Sequence, residues 1–292
     1  MTGTLQTNGY YPTGDGHQLY WERHGTPGAE PVFFLHGGPG GRCRHEHLEF
    51  FDLECFDVVL FDQRGCGRSL PHGELRDNTC GLSVEDIDGL RQHLDFEKIS
   101  LLGVSWGSWL AIQYQQRYRD TLLKTTLVSV FVPFADNVSA YEQMLNHGLS
   151  TLTGCHASHS LRDIFRILCE GCPLQQRHAA IQWLQALLQQ TGQSIGRNTL
   201  EDFVDDEAIR AIRLELHYHM QQYCFTPANE ELTLDRNTLL MQGVRDAFGM
   251  ASVRWLRQRL NLDCRLLYAG HNAFAPSMLK AVRYALKRVA RD

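Results

Sequence analysis

The chain predicts an α/β fold, a mostly parallel sheet with helices on both faces, interrupted by a helical insertion. Three observations carry this. Short apolar runs such as Pro31 to Leu35, Asp57 to Phe61 and Ile99 to Leu102 suit strands buried on both faces of a parallel sheet. The segments between them place apolar residues at helical spacing. The alternation breaks off near Pro133, gives way to polar helical sequence rich in Gln and His until about Pro227, and then resumes.

In chain order, Gln18 to Glu22 alternates after the turn-forming Gly14-Asp15-Gly16 and reads as an early strand. Pro31 to Leu35 is a strand ending in His36-Gly37-Gly38-Pro39-Gly40-Gly41, and Arg44 to Phe51 can form the crossover helix. Asp57 to Phe61 is a strand ending in Asp62-Gln63-Arg64-Gly65-Cys66-Gly67-Arg68-Ser69. Ser83, followed three residues on by Asp86, reads as a helix cap, with Val84, Ile87, Leu90 and Leu94 on the apolar face. A strand from Ile99, a helix from Trp109 to Tyr118 and a strand from Leu123 to Val132 follow. After the insertion come a strand at Thr238 to Met241, a helix at Met250 to Leu260, a strand at Cys264 to Tyr268 and a closing helix at Ser277 to Val289. The expected organisation is a core of residues 1–134 and 229–292 with a helical cap, 135–228, over the sheet's carboxyl edge.

Bulk properties narrow the function. The 292 residues carry a net charge of -5 and no Lys/Arg-rich run, which argues against a nucleic-acid surface. Met1 to Asp15 lacks the apolar centre of a signal peptide, and no stretch reaches membrane-span length. Nine scattered cysteines suit a reducing compartment better than a disulfide framework. The expectation is a cytoplasmic protein without nucleic-acid or membrane partners; composition leaves monomer or homo-oligomer undecided.

The chemistry centres on Gly103-Val104-Ser105-Trp106-Gly107, between a buried-strand pattern and a helical one. A serine at the apex of so sharp a turn projects its hydroxyl above the sheet edge, beside the first amides of the new helix. Such a serine needs a base, and the base an orienting acid, in the chain order Ser, acid, His. Asp246 and His271 each stand just beyond the carboxyl end of an expected strand, on Ser105's edge of the sheet. Asp235 and Asp263 precede their strands and belong to the opposite edge. Glycine-rich His36 to Gly40 lets a backbone amide approach a substrate carbonyl, so the N–H groups of Gly38 and Trp106 are the candidate oxyanion hole.

Together, His-Gly-Gly-Pro-Gly, Asp-Gln-Arg-Gly-Cys-Gly-Arg-Ser, Asn78-Thr79 and Gly-x-Ser-Trp-Gly-Ser-x-Leu-Ala resemble the proline iminopeptidase family of α/β-hydrolases, closely over about residues 10–134 and more loosely over 236–275. The resemblance implies a mostly parallel eight-stranded sheet with a helical cap. It implies a serine peptidase that releases an N-terminal residue, preferably proline, from short peptides, with no metal or cofactor. Arg213-Leu214-Glu215-Leu216-His217-Tyr218 is similar to the family segment whose glutamate binds the substrate amine, which makes Glu215 the candidate. Phe131 and Tyr141 stand where family members line the proline pocket. The family's second glutamate follows a Trp-x-x-Trp pair; here Trp183 is followed by Ala186 and Leu187 in those places, with Asp202, Asp205, Asp206 or Glu207 as possible substitutes. The departure opens a second substrate class, a small ester, amide or lactone. Cys155, His156, His159, Cys169 and Cys172 have spacings a zinc site could use, within a segment that reads as helical cap; the expectation is no metal.

Overall fold

A computed structural model describes residues 5–152, 160–190, 197–226 and 231–289. The chain forms two compact units, Met1–Pro133 with Cys224–Asp292, and Phe134–Tyr223.

The first unit is built on one eight-stranded sheet. Its strands are β1 (Leu5–Pro12), β2 (Gln18–Gly25), β3 (Glu30–Leu35), β4 (Phe56–Phe61), β5 (Ile99–Val104), β6 (Leu122–Val128), β7 (Thr238–Gly243) and β8 (Asp263–Leu267), in the order β1-β2-β4-β3-β5-β6-β7-β8. The β1–β2 and β2–β4 pairs are antiparallel and all others parallel. The carboxyl ends of β3 to β8 therefore share one edge. β4 is buried at every position. On one face Val32, Phe34, Val58 and Leu60 pack with Met278, Val282, Ala285 and Leu286 of the closing helix (Pro276–Val289). Their alternate neighbours face the other way, as the two-residue period of a strand requires. Phe33 meets Phe61 and Phe96 there, at ring centroid distances of 6.3 and 5.9 Å.

The remaining elements of this unit are α1 (Cys80–His93), α2 (Trp106–Arg117) and, after β7, a helix at Ala247–Arg259. The second unit is helical: α3 (Ala135–Ser150), α4 (Leu161–Glu170), α5 (Pro173–Gln190), α6 (Arg197–Phe203) and α7 (Asp206–Met220). Its core gathers Leu145, Leu149, Ile164, Leu168, Trp183 and Ile212. Helices Ala247–Arg259 and Pro276–Val289 are α8 and α9. No helix among the described residues is long and apolar enough to cross a membrane.

Three local expectations need correction, and one strand, β1, lies where the sequence pattern predicts none. β1 carries no buried position, so no alternating pattern marked it; backbone pairing with β2 holds it in the sheet. Between β3 and β4 the chain makes a short 3-10 helix, His45–Phe50, rather than a longer crossover helix. Helix α1 starts earlier than Ser83: Thr79 caps it, its hydroxyl accepting the Leu82 N–H at 3.3 Å. Ser83 and Asp86 are buried inside it. β6 stops at Val128 because Ser129 takes a left-handed φ of 48°. The next three amides turn to buried side chains instead: Val130 to Gln242 Oε1 (2.7 Å), Phe131 to Ser108 Oγ (2.9 Å) and Val132 to Ser252 Oγ (2.9 Å).

The loop after β4 is held by charge. Asp62, fully buried, accepts the Cys43 N–H (2.6 Å), the Arg68 N–H (2.9 Å) and Arg68 Nε (3.0 Å). Buried Arg64 binds both carboxylate oxygens of Asp86 (2.6 and 2.7 Å) and one of Asp15 (2.9 Å). Asn78 Nδ2 donates to the carbonyls of Arg64 (3.0 Å) and Glu74 (2.8 Å). Removing one side of a buried pair strands the other charge, so Arg64→Met costs about 3–5 kcal/mol. Urea unfolding checks this: the double variant Arg64→Met with Asp86→Leu recovers much of the loss, and a single-variant cost under about 1 kcal/mol refutes the account.

Candidate active site

Ser105 links β5 to α2 with φ 54° and ψ -119°, a conformation L-residues adopt only where the surroundings enforce it. Its N–H still bonds the Val128 carbonyl at 3.0 Å, so the elbow is tied to the neighbouring strand. The flanking glycines are a steric necessity. A Cβ on Gly103 would lie 2.4 Å from the Gly107 carbonyl oxygen, and one on Gly107 would lie 2.0 Å from that of Leu35. Helix α2 therefore starts at Trp106, three residues before the expected Trp109.

His271, beyond the end of β8, points Nε2 at Ser105 Oγ (2.9 Å) and Nδ1 at Asp246 Oδ2 (2.6 Å). Asp246, beyond the end of β7, also caps α8 by accepting the Gly249 N–H at 3.0 Å, and receives Gln242 Nε2 at 2.9 Å. Burial pushes its carboxyl up, but His271, the Gly249 amide and Gln242 outweigh this and hold it below the usual range. An ionised carboxylate only accepts, so the Nδ1 proton of His271 points to it and Nε2 is left to take the Ser105 hydroxyl proton. The imidazole is about half exposed, while Asp246 is almost fully buried. The three side chains expected from the sequence thus form one chain of hydrogen bonds.

The turn after β3 runs against the elbow: a Cβ on Gly37 would come within 3.3 Å of Ser105 Cβ. Gly38 has φ 129°, and a Cβ there would lie 2.6 Å from the Gly41 nitrogen. Gly38 and Trp106, the expected oxyanion donors, thus belong to segments that flank Ser105 on the same sheet edge. Sequence reasoning missed Gln63. Its Nε2 donates to the His36 carbonyl (2.9 Å), its Oε1 accepts Trp106 Nε1 (3.0 Å), and its own N–H donates to His36 Nε2 (3.0 Å). His36 Nδ1 then donates to the Gly37 carbonyl (2.9 Å), and burial lowers the imidazole pKa.

The helical unit contains the expected Glu215 and Tyr141, joined by a 2.7 Å hydrogen bond from the Tyr141 hydroxyl. Burial raises the Glu215 carboxyl to about 7, against the lowering effect of Tyr141. Phe131 lies in the sheet unit. Leu187 packs into the helical core. Asp205 caps α7 by accepting the Ala208 N–H at 2.8 Å; Asp202 and Asp206 are exposed and Glu207 half-buried. Cys155, His156 and His159 lie outside the described residues; Cys169 and Cys172 are exposed free thiols. No group of three metal-ligating side chains occurs among the described residues.

The sheet, elbow and strand-end residues define an α/β-hydrolase, and the family model described as alpha/beta hydrolase fold matches residues 30–152. A probable proline iminopeptidase of Leptolyngbya boryana is 30% identical over 300 residues, spanning 96% of this chain and 93% of that one. The proline iminopeptidase of Arabidopsis thaliana is 44% identical over 126 residues, 43% of this chain and 33% of that protein. The crystal structure of a proline iminopeptidase-related protein of Thermus thermophilus superposes with a TM-score of 0.65 at 25% identity over 99% of both chains. The chain belongs to the proline iminopeptidase family.

Ser105→Ala removes the hydroxyl at the head of this hydrogen-bond chain without filling or emptying space in the core, so the expected outcome for a nucleophile is turnover lower by at least about 10⁴-fold with thermal unfolding near wild type. Asp246→Asn gives a comparable loss through the wrong His271 tautomer; near-wild-type steady-state rates in either variant refute the arrangement. A second expectation concerns pH. A carboxyl whose folded pKa is raised contributes stability below its unfolded pKa and loses it as pH rises through about 7. Glu215→Gln is therefore nearly neutral at pH 5 and stabilising by up to about 3 kcal/mol at pH 8. A stability difference from wild type that does not change with pH refutes the raised carboxyl pKa.

Proposed function

We propose that the protein is a serine aminopeptidase that releases an N-terminal residue, preferably proline, from short peptides through an acyl-enzyme. The observation that carries this reading is the continuous Ser105–His271–Asp246 hydrogen-bond chain, 2.9 and 2.6 Å, at the carboxyl edge of the sheet. Ser105 Oγ attacks the scissile carbonyl while His271 Nε2 takes its proton. The amides of Gly38 and Trp106 stabilise the oxyanion, worth about 10²–10³ in rate per donor. His271 then protonates the leaving amine, and water, deprotonated by the same imidazole, cleaves the ester. Asp246 keeps the tautomer and stabilises the imidazolium.

In this reading Glu215 holds the substrate's positively charged imino terminus, with Phe131 and Tyr141 beside the proline ring. A half-buried carboxyl whose pKa desolvation raises, with a hydroxyl donor beside it, suits the task, because an ammonium leaving water requires a compensating charge. One observation favours a second substrate class. Leu187, in place of the family's second glutamate, packs into the helical core, which leaves a single carboxylate from that pair to hold an amine. Small esters, amides or lactones then compete as substrates.

A panel of aminoacyl-arylamides and short acyl esters separates the two. Turnover of Pro-arylamide above the other arylamides and the esters is expected; strong ester hydrolysis with silence on every arylamide overturns the peptidase reading and leaves the hydrolase.

A further inference from the structure

We propose that Gln63 is a positioning residue for the reaction, a clamp that sets the spacing between the two amides that receive the oxyanion. The inference rests on the acyl-transfer reading above and adds a residue that does not touch the substrate.

Gln63 joins the two segments that supply those amides. Its Nε2 donates to the carbonyl of His36, two residues before Gly38, and its Oε1 accepts the indole N–H of Trp106. The orientation of the carboxamide is forced. An indole N–H can only donate and a peptide carbonyl can only accept, so a flipped amide would lose both bonds. The backbone N–H of Gln63 adds a third link, to His36 Nε2. Gln63, His36 and Trp106 are all buried, so water is poorly placed to replace a lost bond.

The clamp stands on a fixed base. Asp62 on one side of Gln63 is bonded to the Cys43 and Arg68 amides, and Arg64 on the other side is paired with Asp86 and Asp15. The far side is equally tight: Gly38 has no room for a Cβ between itself and Gly41, so a shift at His36 passes on to the Gly38 amide. Trp106 is the first residue of α2, and its ring is locked to the same carboxamide that locks the turn. Oxyanion donors act through geometry, and displacement of about 1 Å costs on the order of 10²-fold in rate.

The test uses the full chain and Gln63→Met, which keeps length and volume but neither hydrogen bond, with Trp106→Phe as a second variant that removes only the indole donor. Readouts are kcat and KM on the best substrate of the wild type, and the Ki of a boronic acid matching its acyl group, which forms a tetrahedral adduct on a serine. The expected result for Gln63→Met is kcat lower by about 10–100-fold, Ki raised by a similar factor and KM within about threefold. Trp106→Phe shifts kcat and Ki in the same direction, and the double variant is less than additive, because both remove one clamp. A role in stability alone predicts a lowered Tm with kcat and Ki unchanged in the folded variant, and that result overturns the proposal. Should Gln63→Met fail to fold, unchanged kcat and Ki in Trp106→Phe overturn it equally. Labelling of Ser105 by a fluorophosphonate in the wild type tests the underlying reading separately: an unlabelled wild type overturns both, whereas a labelled wild type with unchanged variants overturns the clamp alone.

Discussion

The site depends on how closely three pieces of backbone can approach one another. The Ser105 elbow carries a φ of 54°, and the helix it launches crosses so near the ends of β5 and β3 that neither Gly103 nor Gly107 has space for a Cβ. Any side chain there would have to push the helix away from the sheet, and Ser105 with it. The cost of a non-glycine residue in that conformation, of order 1–3 kcal/mol, is carried by the hydrogen bonds that hold the elbow. They are the Ser105 N–H to Val128, the Ser108 N–H to the Ser105 carbonyl and the Ser108 hydroxyl to the same carbonyl.

Ser108 connects this elbow to the segment after β6. Its hydroxyl donates to Ser105 and accepts from Phe131, while Gln242 accepts from Val130 and donates to Asp246. A strand that simply continued would have satisfied the same amides with a neighbouring strand. Ending β6 at Ser129 and using side chains instead links this segment to the elbow through Ser108 and to Asp246 through Gln242. Ser108 and Gln242 are therefore neither stray nor interchangeable with apolar residues of similar size; each closes hydrogen bonds that burial makes costly to leave open.

Much of this was legible in the sequence because it is written in periodicity and in strand ends. A continuous apolar run such as Val58 to Phe61 in β4, buried at every position, declares a parallel sheet, and a parallel sheet puts Ser105, Asp246 and His271 on one edge without any knowledge of distance. β1 was illegible because it is held by backbone bonds and buries no side chain. The start of α1 was misplaced because Ser83 with Asp86 imitates a capping box, while Asp86 is in fact the partner of Arg64, 22 residues away. Gln63 was missed because a glutamine's three partners at His36 and Trp106 leave no local pattern; the signal available was its position directly beyond a buried strand, the same criterion that singled out Asp246 and His271.

Substrate preference is harder to read than chemistry for the same reason. The shared sheet edge of Ser105, His271 and Asp246 follows from topology, but the amine recognition proposed above would depend on the environment of individual carboxylates in the helical unit. Glu215 combines a half-buried position, a pKa raised to about 7 by desolvation and the Tyr141 hydroxyl as a donor. In the absence of a cation such a group is partly protonated near neutral pH, and a bound ammonium would drive it to the ionised form by supplying the missing charge. Leu187, at the place where the family resemblance implies a second carboxylate, packs against the helical core and brings no charge. A single carboxylate suffices to neutralise one ammonium but not to fix its direction with two acceptors. The proposed selection for an N-terminal imino group is accordingly expected to be weaker here than a two-glutamate grip would impose, while the acyl chemistry proposed at Ser105 does not depend on that grip.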